Sequence, residues 1–267
     1  HLSILDLRRN QVKRRGISQI AALLCELPLT VLHLDQNAVT NAEDLSDALS
    51  RLSLLRELTL DSCQLGTEGA VTLALGLSKC VALKRLNLEN NEIQCLTPYL
   101  MAAIGQLTAL EVLTLNSNPI GKLGFEGFRQ ALPKLTNLVK LNLAEMQMKG
   151  NLLPLVPHFA NLVYLERLNL DSNQFLRKHV TELALVVPKM PSLRTLEIDN
   201  APFCKPKILK MVKRSHISHL TVDGLKKHED LLDALKRNVK RNKTLAEYAI
   251  WVPPVEYIEF DEKGETR

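Results

Sequence analysis

One hydrophobic spacing, L-x-x-L-x-L-x-x-N/C, returns along the whole chain and constrains its fold more than any other feature. It runs through Leu2, Leu5, Leu7, Asn10; Leu29, Leu32, Leu34, Asn37; Leu55, Leu58, Leu60, Cys63; and Leu83, Leu86, Leu88, Asn91. It continues through Leu110, Leu113, Leu115, Asn118; Leu138, Leu141, Leu143, Met146; Leu165, Leu168, Leu170, Asn173; and Leu193, Leu196, Ile198, Ala201. Two degenerate units follow, Ile217, Leu220, Val222 and Leu245, Tyr248, Ile250. Successive units begin 24 to 28 residues apart, a period that signals a stacked repeat. Inside each unit the L-x-L core alternates as a short strand does. Most of the segments that follow carry helical spacing, as in Ile17, Ile20, Ala21, Leu24 and Val71, Leu73, Ala74, Leu77.

Only 4% of the residues are aromatic although 46% are hydrophobic, which suits a core layered from leucine. Strands stack at about 4.8 Å while helices need about 8–10 Å, so the helical side must be the longer arc of a curved stack. The repeated asparagine sits where the chain leaves the strand, and its amide can satisfy backbone groups along the stack. That ladder lapses at Met146, Ala201, Leu225 and Pro253, which predicts looser turns in the C-terminal half. The five cysteines, Cys25, Cys63, Cys80, Cys95 and Cys204, form no C-x-x-C pair; they read as buried thiols, and a reducing intracellular, cytoplasmic setting is expected.

The run Leu65-Gly66-Thr67-Glu68-Gly69-Ala70, continued by Leu73, Leu77 and Leu83-Lys84-Arg85-Leu86-Asn87-Leu88, resembles the ribonuclease-inhibitor-like class of leucine-rich repeats. The resemblance covers nearly the whole chain. It implies an α/β leucine-rich repeat solenoid, a horseshoe with about ten parallel strands on the concave face and helices on the convex face. Relatives of that class include NOD-like receptor repeat domains, actin-regulating repeat proteins and the Ran GTPase activator. The resemblance therefore implies a protein-binding scaffold, with a GTPase-activating or similar regulatory role as the alternative. The expected organisation is a repeat domain over 1–252 with its N-terminal cap missing, then a capping segment and tail over 253–267. Tyr248, Trp251, Tyr257 and Phe260 gather four of the eleven aromatics near that end, and Trp251 is expected either to cap or to bind.

Side chains alternate across a sheet, so residues flanking the buried leucines should line the concave face. The expected partner-binding set there is Asp35, Asp61, Glu89, Arg85, Asn116, Lys140, Arg167, Asp171, Glu197, Asp199, Asp223 and Trp251. Its last row holds Asp35, Asp61, Glu89, Asp171, Asp199 and Asp223, an acidic stripe in a chain of net charge +5, which points to a protein partner with a basic surface. Polar strands of any sign also suit solvent, so solubility alone can explain the stripe. Positive charge concentrates between residues 205 and 243, with Lys205, Lys207, Lys210, Lys213, Arg214, Lys226, Lys227, Lys236, Arg237, Lys240, Arg241 and Lys243 against four acids. This run, on expected helices 206–214 and 229–242, could neutralise the phosphates of nucleic acid or anionic lipid. Because no stacking aromatics are interleaved with it, it also matches a solvated helical face.

No phosphate-cradling loop, nucleophile elbow or H-E-x-x-H motif is present, and the seven histidines are scattered, with His216 and His219 a lone pair. The acids of a solvated inner sheet are expected to lack the burial that tunes acid–base groups. The expectation is a non-enzyme without cofactor, metal or small-molecule substrate. No stretch is apolar enough for a membrane span.

Overall fold

The computed structural model describes residues 2–248, apart from 41, 95–97, 120, 199–204 and 222–228. Among the described residues nine three-residue strands alternate with nine α-helices in chain order. The first half comprises β1 Ile4–Asp6, α1 Arg14–Leu24, β2 Val31–His33, α2 Glu43–Leu49, β3 Glu57–Thr59, α3 Gly66–Leu77, β4 Arg85–Asn87 and α4 Pro98–Ile104. It continues with β5 Val112–Thr114, α5 Gly121–Ala131, β6 Lys140–Asn142, α6 Val156–Phe159, β7 Arg167–Asn169, α7 Arg177–Val186, β8 Thr195–Glu197, α8 Lys205–Arg214, β9 His219–Thr221 and α9 Glu229–Tyr248. The strands form one parallel sheet in sequence order. Its register aligns Leu5, Leu32, Leu58, Leu86, Leu113, Leu141, Leu168, Leu196 and Leu220 side by side. From Leu32 onward these leucines are buried, as are the leucines two positions after them through Leu170. One aliphatic spine thus runs through the stack. In the first coil the spine is incomplete: Leu5 and Leu7 are only half-buried and Ile4 is exposed.

Residues on both sides of the asparagine slot take left-handed backbone angles at Arg9 and Gln11, Ser62 and Gln64, Asn90 and Glu92, Glu145 and Gln147, and Ser172 and Gln174, whereas at Gln36 and Ser117 only the residue before the slot does. Such angles cost a non-glycine residue roughly 1 kcal/mol, so something must hold them. The buried asparagines do. Asn91 Oδ1 accepts from the N–H groups of Cys63 (3.0 Å) and Leu65 (3.3 Å), while its Nδ2 donates to the carbonyls of Leu60, Leu88 and Glu89. Asn118 and Asn173 repeat the pattern one and three coils on. Cys63, in an asparagine slot, covers two of the same carbonyls with its thiol, donating to Leu34 O and Asp61 O.

Three expectations need correction. The degenerate tenth unit is not a strand, because Leu245 and Tyr248 belong to α9; nine strands are described. The turn at Met146 is no looser than its neighbours, since Glu145 and Gln147 are left-handed as elsewhere and Asn173 Oδ1 bonds Met146 N–H at 2.9 Å. The other three lapses, Trp251 and the expected capping segment and tail over 253–267 lie outside the described residues. The sixth coil, finally, has no long helix. Pro154 and Pro157 lack amide hydrogens, and its outer side is a 3-10 turn at Lys149–Leu152 followed by the four residues of α6.

The convex layer has one unusually close contact. Ser46 of α2 lays its hydroxyl between the two ends of an i to i+4 pair in α3, donating to Thr72 O (2.7 Å) and accepting from Gly76 N–H (2.9 Å). A side chain at Gly76 would place its Cβ 1.9 Å from Ser46 O, so glycine is needed there for approach rather than for flexibility.

Candidate functional site, the concave sheet

Two residues flank each buried strand leucine and a third follows the next leucine, so the register sorts the concave face into three columns. The first column reads Ile4, Val31, Glu57, Arg85, Val112, Lys140, Arg167, Thr195, His219, and the second Asp6, His33, Thr59, Asn87, Thr114, Asn142, Asn169, Glu197, Thr221. The third, linked by backbone bonds across the turns, contains Asp35, Asp61, Glu89, Asn116, Ala144 and Asp171.

The third column is acidic and tied together. Asp35 accepts from Thr59 Oγ1 (2.6 Å) and from Asp61 N–H (2.7 Å), and Asp61 accepts from the Ser62 hydroxyl (2.8 Å). Glu89 accepts from Asn116 Nδ2 (2.7 Å), whose carbonyl in turn accepts from Asn142 Nδ2 (3.0 Å). Contrary to the expectation of a fully solvated stripe, these acids are half-buried. Burial raises the carboxyl of Asp61, and Asp35 adds to it; burial likewise raises Glu89, with Asp61, Glu145 and Asp35 contributing. A column of like charge is held close because hydroxyl, backbone and amide donors fix the carboxylates of Asp35, Asp61 and Glu89 in place.

The first column has the opposite sign. Arg85, Lys140 and Arg167 occupy it in the fourth, sixth and seventh coils, and the last two are direct cross-strand neighbours. Burial lowers the Lys140 amine, and the charges of Arg167 and Arg85 lower it further. Toward the N-terminal end the column closes on itself: Glu57 takes His33 Nε2 at 3.1 Å and Arg85 at 2.9 Å. The His33 bond, with Arg85 behind it, holds Glu57 below the usual carboxylate range against the effect of burial. Between the charged columns, from Thr59 to Asn169, lies a row of amides and hydroxyls. Asn87 and Asn169 each accept the N–H two residues on, at 2.9 Å.

Columns one and three are four residues apart along each strand, about 13 Å at roughly 3.3 Å per residue. The Debye length at physiological salt is about 8 Å, so the columns present separate fields to anything in the groove. The acids stand out in the sequence because they cluster in one row. Arg85, Lys140 and Arg167 make a second row that the sequence did not reveal as one, although their common place just before the buried leucine was readable.

The remaining site residues divide by position. Glu197 lies half-buried in the second column between Asn169 and Thr221. Asp199, Asp223 and Trp251 fall outside the described residues. Lys207, Lys210, Lys213 and Arg214 are exposed on α8, and Lys236, Arg237, Lys240 and Arg241 on α9; Lys205 and Lys243 also belong to these helices. Cys63 and Cys80 are buried and their thiols are pushed up to about 12 by burial. His179, inconspicuous in the sequence, plays a structural part. It is buried, and its Nδ1 accepts the Leu176 N–H at 2.9 Å, closing the start of α7. Among the described residues no three potential metal ligands gather, and no helix is long and apolar enough to cross a membrane.

Comparison with known proteins adds the repeat's family. The model described as "Leucine Rich repeat" matches residues 51–74, which run through β3 into α3. No curated protein matches the sequence. Among solved structures, the chain is similar to the leucine-rich repeat-containing protein LegL7 of Legionella pneumophila, with 15% identity, coverage of 90% of this chain and 91% of that one, and a TM-score of 0.49. It is also similar to a leucine-rich repeat protein of Leptospira interrogans, with 20% identity, coverage of 77% of this chain and 52% of that one, and a TM-score of 0.43. The matched unit recurs with the same leucine spacing through the nine described in-register strands, so the chain has the fold of an α/β leucine-rich repeat solenoid.

Proposed function

We propose that the protein is an interaction scaffold, without catalysis of its own, that holds a protein partner in its concave groove. The observation that supports this reading is the sorting of charge on an open nine-strand sheet. Asp35, Asp61, Glu89 and Asp171 line the turn side while Arg85, Lys140 and Arg167 line the other, with uncharged hydrogen-bonding side chains between. A partner that fits presents a basic strip to the third column and acids to the first. Complementary fields of this kind speed capture and reject wrong partners more than they add raw affinity. Asn116 and Glu197 are the remaining described contacts in this reading.

The test is affinity capture from the native extract by wild type and by Asp61→Lys/Glu89→Lys/Asp171→Lys at low and physiological salt. The expected result is a partner held by wild type, released by salt and lost from the variant. Equal capture by a folded variant contradicts the reading.

A further inference from the structure

The cations of the C-terminal helices lie away from the concave columns, and the structure arranges them around a cleft. α8 presents Lys207, Lys210, Lys213 and Arg214 on one exposed face at steps of three, three and one residues, a helical stripe that contains no acid. α9 packs alongside, and the two enclose a polar hollow of about 440 Å³ lined by Lys213, Ala234, Arg237, Asn238 and Arg241. Its floor is rigid. Asn238 is buried, and its amide donates to Val212 O (3.0 Å) and Ile217 O (2.7 Å). Arg241 is anchored by a bond to Ser215 O. In contrast, Lys207, Lys210, Lys213, Arg214 and Arg237 have no ion-pair partner among the described residues, while Asp233 is engaged with Lys236.

The composition of this face discriminates between occupants. The exposed stripe of α8 carries one sign of charge, unlike the two-signed concave columns assigned to a protein partner. Of the described side chains of α8 and α9, Val239 is the one exposed large hydrophobic, so insertion into a bilayer has no anchor among them. Nucleic-acid interfaces are polar and strongly positive. Cations on an exposed helical face can neutralise successive phosphates, and without stacking aromatics contact is to backbone rather than to bases. We propose that the α8–α9 cleft holds the phosphate backbone of a nucleic-acid duplex, independently of whether the concave face binds protein.

The test is fluorescence anisotropy of labelled duplex DNA and duplex RNA, each about 20 base pairs, with the full chain at several salt concentrations. Five phosphate contacts predict a slope of log K against log salt of about −4.5 for DNA. Lys210→Glu/Lys213→Glu/Arg237→Glu should weaken binding at least about tenfold at low salt and flatten the slope by about three. The control Lys79→Glu/Lys122→Glu/Lys134→Glu, with the same net charge change on exposed residues elsewhere, should stay within about twofold of wild type. Circular dichroism verifies the fold of both variants. The proposal is overturned if neither duplex binds at low salt, or if both variants lose binding equally. It is also overturned if phosphatidylserine vesicles or a polyglutamate peptide bind the cleft more tightly than the duplexes do.

Discussion

Replacing Asn91 with alanine should be among the most damaging polar changes in this chain. The amide is fully buried and makes five hydrogen bonds across the turn of its own coil and the one before it. Leu88 O keeps a bond from Asn118 Nδ2 at 2.8 Å after the change. The cost therefore falls on the N–H groups of Cys63 and Leu65 and on Leu60 O. Each buried group left unpaired costs about 1–3 kcal/mol, so three predict a loss of about 4 kcal/mol. The terminal ladder residue Asn10 is the internal reference. It is exposed and donates to Arg8 O at 3.0 Å, and Asn10→Ala should cost under about 1 kcal/mol. Urea unfolding followed by far-ultraviolet circular dichroism reads both, with the slope compared first because repeat arrays can unfold in parts. If Asn91→Ala and Asn10→Ala shifted the midpoint equally, the ladder would not be what holds the left-handed turns.

Gly76→Ala should destabilise by at least about 3 kcal/mol, or prevent folding, because its Cβ meets Ser46 backbone; Gly150→Ala, with open space around it, should leave the melting temperature nearly unchanged. Asp61→Asn/Glu89→Gln should melt higher than wild type at about pH 7. With folded values raised by burial, the native state binds protons more readily than the unfolded chain; the cost of the charges fades as pH falls through those raised values, and the gap closes toward about pH 4 in a pH series of thermal melts. Cys63 and Cys80, with thiols pushed up to about 12, should resist a thiol reagent in the folded protein and react after urea unfolding, whereas half-buried Cys25 reacts earlier; mass mapping of the labelled peptides reads the order.

Much of this architecture was legible because the repeat reports one position nine times over. Leu58 alone says little; Leu58 in line with Leu32 and Leu86 fixes strand, face and register together. The tenth unit failed because Leu245 and Tyr248 stand three apart without a second L-x-L leucine, a spacing that suits a helix as well as a strand. The sixth coil was readable in principle, since Pro154 and Pro157 interrupt its outer segment. The Ser46 insertion into α3 was not, because it joins residues 26 to 30 positions apart through a contact that exists only once two helices pack. Raised carboxyls on the concave face escaped for a related reason. Alternation predicts which way a side chain points, but neighbouring coils decide how much water it keeps.

Carbodiimide labelling of surface carboxylates, with and without the captured partner, tests the scaffold account most directly. Labelling of Asp61, Glu89 and Asp171 should fall on binding, while Asp47, Glu68 and Glu126, exposed on the helical side, should label as before. Protection of the helical carboxylates with the third column unchanged would contradict the account.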